Sequence, residues 1–193
     1  MERKNIQITE NLLTAKKQNR PGNRIIDLRA LVIHWIGPYP KQDPIDTRGW
    51  WESGKAFGSA HYIISHEGAI MRTLPEYEVG YHIGSTTPDP VSKKVYTDKA
   101  RQLFGEDVCF RAMNNFYSIG IEMCPIDTVG NFSNETLVSA IQLCGDILNR
   151  YRKDTRILTT HFEVVGWKRC PELWTDKPEM FENFKSYVKS LLI

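Results

Sequence analysis

His161-Phe162-Glu163-Val164-Val165-Gly166-Trp167-Lys168-Arg169-Cys170-Pro171 holds a histidine and a cysteine nine positions apart, with a lysine two residues before the cysteine. Imidazole nitrogen and thiolate sulfur are both good zinc ligands, and a structural zinc site has four protein ligands. This segment supplies only two. We therefore expect a third ligand from elsewhere in the chain and an open fourth position, as in catalytic zinc sites. Cys170 as an ordinary buried thiol is the alternative interpretation.

The best candidate for the third ligand is His34, in Leu31-Val32-Ile33-His34-Trp35-Ile36. This near-continuous apolar run predicts a central strand covered on both faces. The run ends at Gly37, so His34 lies near the C-terminal end of the strand, where ligands gather in open α/β sheets. Taken alone, a histidine on such a strand is more often a core residue whose polar atoms are satisfied than a metal ligand.

Composition bounds the class of protein. The 193 residues are 41% hydrophobic and 25% charged, which predicts one ordinary globular domain over residues 1–193. A net charge of +2 is too small to indicate a nucleic-acid partner, and four cysteines are too few for a disulfide scaffold. No apolar run approaches the roughly 18 residues of a membrane span. The N-terminus lacks the apolar core of a signal peptide, so we expect synthesis in the cytoplasm without one.

The pattern of elements mixes strands and helices. Residues 1–30 are predicted to be an extended lead-in packed on the domain, and residues 80–116 a long loop. The predicted elements are a helix over 47–54, a hairpin turning at 66–68, a strand over 117–124, a helix over 133–153, a strand over 156–160 and a final helix over 178–192 capped by Asp176.

Glu122 is the candidate general base. The segment 117–124 alternates apolar and polar residues, and Gly120 leaves space on the face that carries Glu122. A carboxylate beside a metal-bound water could act as a base in hydrolysis. The alternative interpretation is a salt-bridged carboxylate on an edge strand.

Five motifs in the same order resemble one known family. They are Val32-Ile33-His34-Trp35, Ser59-Ala60-His61-Tyr62-Ile63-Ile64, Tyr81-His82-Ile83-Gly84-Ser85, Ser118-Ile119-Gly120-Ile121-Glu122 and the segment from His161 to Pro171. Together they resemble the zinc-dependent N-acetylmuramoyl-L-alanine amidases, which include phage endolysins and share their fold with peptidoglycan recognition proteins. The resemblance implies an α/β fold with a central mixed sheet flanked by helices.

The resemblance also implies roles. His34, His161 and Cys170 would bind one Zn²⁺ ion, Glu122 would be the base and Lys168 the cation beside the reacting carbonyl. His82 and His61 would lie at the substrate groove, with a structural role as the alternative for His61. Some branches of the family have a catalytic tyrosine where this chain has Ala60, so Glu122 is expected to act without it.

The expected function is hydrolysis of the amide between N-acetylmuramic acid and L-alanine in peptidoglycan. We expect a phage endolysin, with a host autolysin as the alternative, that acts as a monomer on the cell wall after release, without a nucleic-acid or membrane partner. A non-catalytic peptidoglycan-binding module and an amidase acting on soluble muropeptides are the alternatives. Loss of a zinc ligand would mark the first, and a preference for soluble fragments over intact sacculi would mark the second.

Overall fold

A six-stranded mixed sheet forms the centre of the molecule. The computed structural model describes residues 2, 5–110 and 112–193. The strands in chain order are β1 (Ile8–Glu10), β2 (Ala30–Trp35), β3 (Tyr62–Ile64), β4 (Ile70–Arg72), β5 (Ser118–Met123) and β6 (Leu158–Thr160). Their spatial order is β1-β4-β3-β5-β2-β6, and only the β3–β4 hairpin is antiparallel. The two longest strands, β2 and β5, therefore lie side by side in the interior of the sheet.

Helices cover both faces of this sheet. They are α1 (Pro44–Ser53), α2 (Asp98–Phe104), α3 (Asn134–Tyr151), α4 (His161–Val165), α5 (Glu172–Asp176) and α6 (Pro178–Lys189), with short 3-10 turns at Met113–Tyr117 and Thr155–Ile157. Together with the mixed sheet they confirm the predicted fold class.

The alternation of side chains divides the core into two layers. On one face of β2, Leu31 and Ile33 pack with the apolar sides of α3 and α6. On the other face, Val32 belongs to a smaller cluster with residues of α2 and α4. Because His34 follows Val32 by two positions, it projects toward the smaller layer. The larger layer supplies most of the buried apolar area and leaves the other face free to carry polar groups.

The lead-in is tied to the domain at several points. Strand β1 pairs in parallel with β4, and Leu13 is buried. The Arg20 guanidinium binds both carboxylate oxygens of Glu78, at 2.8 Å each. These contacts agree with a lead-in packed on the rest, while the single-domain boundary at residues 1–193 stays a prediction.

Two local predictions are wrong. Residues 80–116 are not a continuous loop, since they contain α2, whose start is capped by Thr97 accepting a hydrogen bond from the Ala100 N–H. Seven residues are too short to show a helical period in the sequence. Asp176 does not cap the last helix, because it ends α5, and Lys177 precedes α6 without a side-chain cap.

The predicted hairpin, the strand through Glu122 and the long helix over 133–153 are confirmed, with Ser133 as the N-cap of α3. Within the described residues, none of the helices combines the length and apolarity required to traverse a bilayer.

Candidate active site

Three neighbouring strands align the candidate groups at the C-terminal edge of the sheet. Strands β2 and β5 run in parallel and pair His34 with Glu122, so the two side chains project from the same face. On the other side of β2, Thr160 pairs with Ile33, and His161 is the next residue along the chain. Glu122, His34 and His161 therefore follow one another across β5, β2 and the end of β6.

A tight turn fixes the direction of His161. Thr160 is the N-cap of α4, and its hydroxyl accepts a hydrogen bond from the Glu163 N–H. The Glu163 carboxylate in turn accepts from the Thr160 N–H, which completes a capping box. His161 is thus the first residue of a short helix.

Cys170 returns to this turn by backbone contacts. Its carbonyl accepts a hydrogen bond from the Phe162 N–H at 3.1 Å. Its sulfur lies within hydrogen-bonding reach of the Trp35 backbone, and the side chain is buried. The segment between α4 and α5 therefore folds back so that the thiol lies beside the end of β2.

The three side chains have the spacing of metal ligands. The Nδ1 atom of His34 lies 3.1 Å from Nδ1 of His161 and 3.7 Å from Sγ of Cys170. One ligand atom from each residue lies within 4.8 Å of the other two. A tetrahedral zinc ion separates nitrogen and sulfur ligands by roughly 3.3–3.7 Å, given bonds of about 2.0–2.3 Å. Among the described residues, this is the one group of three or more such side chains with that geometry.

Burial makes all three groups neutral without a cation. It lowers the pKa of His34 well below 6.5 and that of His161 to about 3. It raises the pKa of the Cys170 thiol to about 12. Two neutral imidazoles are ready to donate lone pairs, and a buried thiol ionises when a cation binds to it. The donor set therefore fits a soft divalent ion such as zinc.

Glu122 lies at the same cleft, in an interior strand. Its pKa is raised to about 7 by burial, and Lys168 opposes that shift. Because β5 lies between β3 and β2, the edge-strand alternative for Glu122 is wrong. A carboxyl group with a pKa near neutrality can both accept and return a proton at physiological pH.

The cleft above these groups has a volume of about 520 Å³. His34, His161, Cys170, Glu122 and Lys168 all line it. Its mouth is aromatic, with contributions from Trp51, Phe57 and Tyr81, and the rings of Phe57 and Tyr81 stack with centroids 4.7 Å apart. A concave site with an apolar rim and a few convergent polar groups is typical of an enzyme site.

Comparison with known proteins decides the family. Residues 22–173 match the family model described as N-acetylmuramoyl-L-alanine amidase. The chain belongs to this amidase family.

Two curated amidases are similar to almost the whole chain. N-acetylmuramoyl-L-alanine amidase CwlL of Bacillus licheniformis is 26% identical over 97% of this chain and 48% of its own length. The amidase BlyA of Bacillus subtilis is 24% identical over 94% of this chain and 47% of its own. The chain thus spans about half the length of these curated relatives. Among solved structures, a mutant endolysin from Bacillus subtilis has a TM-score of 0.69 at 19% identity, covering 95% of this chain and 99% of that one. The last comparison shows a shared fold.

His61 has a structural environment in this member of the amidase family. The ring is fully buried, its Nδ1 accepts from the Gly120 N–H at 3.0 Å, and its Nε2 donates to the Glu78 carbonyl at 2.8 Å. Burial lowers its pKa to about 4. Because both nitrogens are bonded to backbone and the side chain does not line the cleft, these contacts favour the structural alternative. Ala60 beside it is also fully buried.

His82 lines the cleft, but its ring nitrogens have protein partners. Nδ1 lies 3.0 Å from Nε2 of His34, and Nε2 lies 3.2 Å from Oγ of Ser118. The ring lies over Gly120, where an added Cβ would approach it to 2.7 Å. The space that Gly120 leaves on this face is therefore occupied by His82.

Three polar residues that received no role from the sequence hold His82 and the residue after it. The Asn115 amide oxygen accepts from the N–H groups of His82 and Ile83, at 3.0 Å each. The Asn114 amide donates to the Ile83 carbonyl, and the Ser118 hydroxyl reaches the ring itself. All three are buried. The signal in the sequence is limited to the pair Asn114-Asn115 three residues before β5, which Ser118 begins.

Proposed function

We propose that this domain hydrolyses the amide bond between N-acetylmuramic acid and L-alanine in peptidoglycan, with one zinc ion held by His34, His161 and Cys170. The observation that supports this best is the row of His161, His34 and Glu122 across three adjacent strands, with Cys170 beside it. Three protein ligands would leave one coordination position for a water or substrate oxygen.

Zinc in such a ligand set supplies a Lewis acid that makes a water available as a nucleophile at neutral pH. Glu122 is the base that takes the proton from the attacking water as it adds to the lactyl carbonyl. The same carboxyl then gives that proton to the departing amine of L-alanine as the C–N bond breaks. Its pKa of about 7 in the metal-free cleft suits both transfers, because neither protonation state is strongly disfavoured.

Lys168 stabilises the negative charge on the carbonyl oxygen. Its side chain is exposed, lines the cleft and is near enough to Glu122 and His161 to affect both pKa values. A fixed positive charge beside a developing oxyanion is worth most where water is largely excluded.

The aromatic mouth of the cleft suits a glycan with an attached peptide. Rings present a flat apolar face to the C–H groups of a sugar, and Phe57 and Tyr81 already form such a surface. Peptidoglycan is accordingly the proposed partner.

The proposed setting is bacterial lysis, with the protein acting as a monomer on the wall after its release from the cytoplasm. The similarity in fold to a Bacillus subtilis endolysin supports that setting. Cleavage of intact walls would distinguish a lytic amidase from an amidase that acts on soluble muropeptides. Any turnover would distinguish an enzyme from a non-catalytic binding module.

The test combines metal analysis with assays on purified walls. The wild-type protein should hold close to one equivalent of zinc, clear a suspension of purified walls and release new N-terminal alanine. Glu122→Gln should keep the zinc and lose the clearing. Clearing by Glu122→Gln at the wild-type rate, or a wild-type protein with neither zinc nor turnover, would refute the proposal.

A further inference from the structure

A line of hydrogen bonds leads from the backbone to the proposed metal site, and its direction is set by chemistry. It begins at the Asn114 carbonyl, which lies 3.0 Å from the Ser118 hydroxyl oxygen. A carbonyl can only accept, so the single hydroxyl proton of Ser118 is donated there. The Ser118 oxygen is then left with lone pairs alone.

The direction of the hydrogen bond between Ser118 and His82 follows from the first one. Nε2 of His82 lies 3.2 Å from the Ser118 oxygen, and an oxygen that has used its proton must accept from this nitrogen. A neutral imidazole carries one N–H, so protonation at Nε2 leaves Nδ1 of His82 with a lone pair.

The hydrogen bond between His82 and His34 determines which nitrogen of His34 carries the proton. Nδ1 of His82 is 3.0 Å from Nε2 of His34, which must therefore carry the proton in this pair. Its other nitrogen, Nδ1, then keeps its lone pair and points at His161 and Cys170. This is the protonation state in which His34 can bind a metal through Nδ1.

Building on the proposed zinc site, we propose that His82 and Ser118 are positioning residues, which fix the tautomer and ring orientation of His34 and thereby raise the affinity of the site for zinc. The Asn114 carbonyl, Ser118, His82 and His34 form what we call the orienting chain. Histidine ligands commonly donate their second N–H to a fixed acceptor, and loss of that acceptor weakens metal binding by about 10- to 100-fold. Here the acceptor is a second histidine, itself oriented by a serine.

The packing around His82 supports this role. Asn115 holds the backbone through one hydrogen bond to His82 and one to Ile83. The ring lies against Gly120, where an added Cβ would come within 2.7 Å of it. Because the ring is already held in place, it would lose little conformational freedom when the metal binds. A side chain that binds substrate would instead keep a free polar atom facing the cleft.

Zinc affinity measured by competition with a chromophoric chelator tests the proposal. His82→Leu and Ser118→Ala should each raise the Kd for zinc about 10- to 100-fold relative to wild type. His82→Asn should lose less, because its amide oxygen can take the place of Nδ1. Ser139→Ala is the matched control, since the Ser139 hydroxyl also donates to a backbone carbonyl, at 2.7 Å, but lies away from the cleft. Its Kd should equal that of wild type.

Nitrogen-15 NMR of the wild-type protein provides a second measurement that does not require any variant to fold. Two-bond proton–nitrogen correlations should show His82 protonated at Nε2 and bare at Nδ1. His82 protonated at Nδ1, or unchanged zinc affinity in both His82→Leu and Ser118→Ala, would overturn the orienting chain while leaving the zinc site intact. A wild-type protein that binds no zinc would instead refute the proposed function.

Discussion

Glu122 and Lys168 line one cleft, close enough for the lysine to lower the pKa of a carboxyl that burial raises to about 7. Burial is the larger of the two effects. In the metal-free protein the carboxyl group is therefore partly protonated at neutral pH. The role of Glu122 can therefore be tested through the pH dependence of stability and through the rate of turnover.

The first prediction concerns the stability of the zinc-free protein. The pKa of Glu122 is about 7 in the folded chain and near its ordinary 4.5 when unfolded, so the folded state binds more protons between these values. The free energy of unfolding contributed by this group must then fall as pH rises from about 4.5 to about 7. Glu122→Gln removes that loss. As pH rises from 4.5 to 8, the free energy of unfolding of the variant should therefore increase relative to that of wild type by up to about 3 kcal/mol. This corresponds to very roughly 5–10 °C in Tm.

Differential scanning calorimetry with a chelator present measures this gap. Glu182→Gln, at an exposed carboxyl on α6, is the control and should follow wild type at every pH. A constant gap between wild type and Glu122→Gln from pH 4.5 to 8 would mean that Glu122 has an ordinary pKa.

The second prediction separates metal binding from catalysis. Glu122→Gln should reduce turnover by about 100- to 10,000-fold, the usual contribution of a positioned base, with zinc content unchanged. Lys168→Met should also retain zinc and lose about 100-fold or more in kcat, because it removes a stabilising charge at the oxyanion. Metal analysis beside wall-clearing rates reports both quantities. Loss of zinc from either variant would show that the substituted residue contributes to metal binding.

The third prediction concerns zinc and thermal stability. Zinc at about 100 times its Kd should stabilise the wild-type fold by about 2.7 kcal/mol, which raises Tm by roughly 5–10 °C. His161→Ala should lose this response, because one of three ligands is gone. His66→Ala is the control, since His66 lies outside the cleft beside Glu67. An equal zinc response in His161→Ala and wild type would show that the ion binds elsewhere.

The fourth prediction uses two glycines with opposite surroundings. An alanine methyl at Gly120 would come within 2.7 Å of the His82 ring, whereas one at Gly49 in α1 would meet nothing within 4 Å. Gly120→Ala should displace His82, weaken zinc binding and destabilise the fold. Gly49→Ala should leave activity unchanged and stabilise the protein by up to about 1 kcal/mol, as expected for glycine replaced inside a helix. Similar zinc affinity in Gly120→Ala and Gly49→Ala would show that the site adapts to the extra methyl.

Much of this architecture could be predicted from sequence because its signals are local. The apolar run through His34, the hairpin at 66–68 and the long amphipathic α3 each fix an element by pattern alone. The edge-strand alternative for Glu122 failed because it depended on neighbours in space. Whether β5 lies inside the sheet or at its edge is decided by β2 and β3, and no property of residues 117–124 reveals it.

The supporting residues of the site were harder to predict. Asn115 and Ser118 contact His82, and Asn114 contacts the adjacent Ile83, in each case more than thirty positions away in the chain. Helix α2 was missed because its seven residues are stabilised by capping and by packing on α4, and not by periodicity. His61 shares a motif with groove residues, yet its hydrogen bonds to Gly120 and Glu78 belong to the framework.

The pairing of β2 with β5 and β6 has one further consequence. The backbone bonds that join these strands are the same bonds that bring His34 level with Glu122 and His161. Cys170 and Lys168 come from the segment after α4, but Glu122, His34 and His161 are aligned by strand pairing alone, so their alignment is completed when the sheet folds. Heating should accordingly abolish wall clearing and the circular dichroism of the strands in a single step, which makes enzymatic activity a direct reporter of folding.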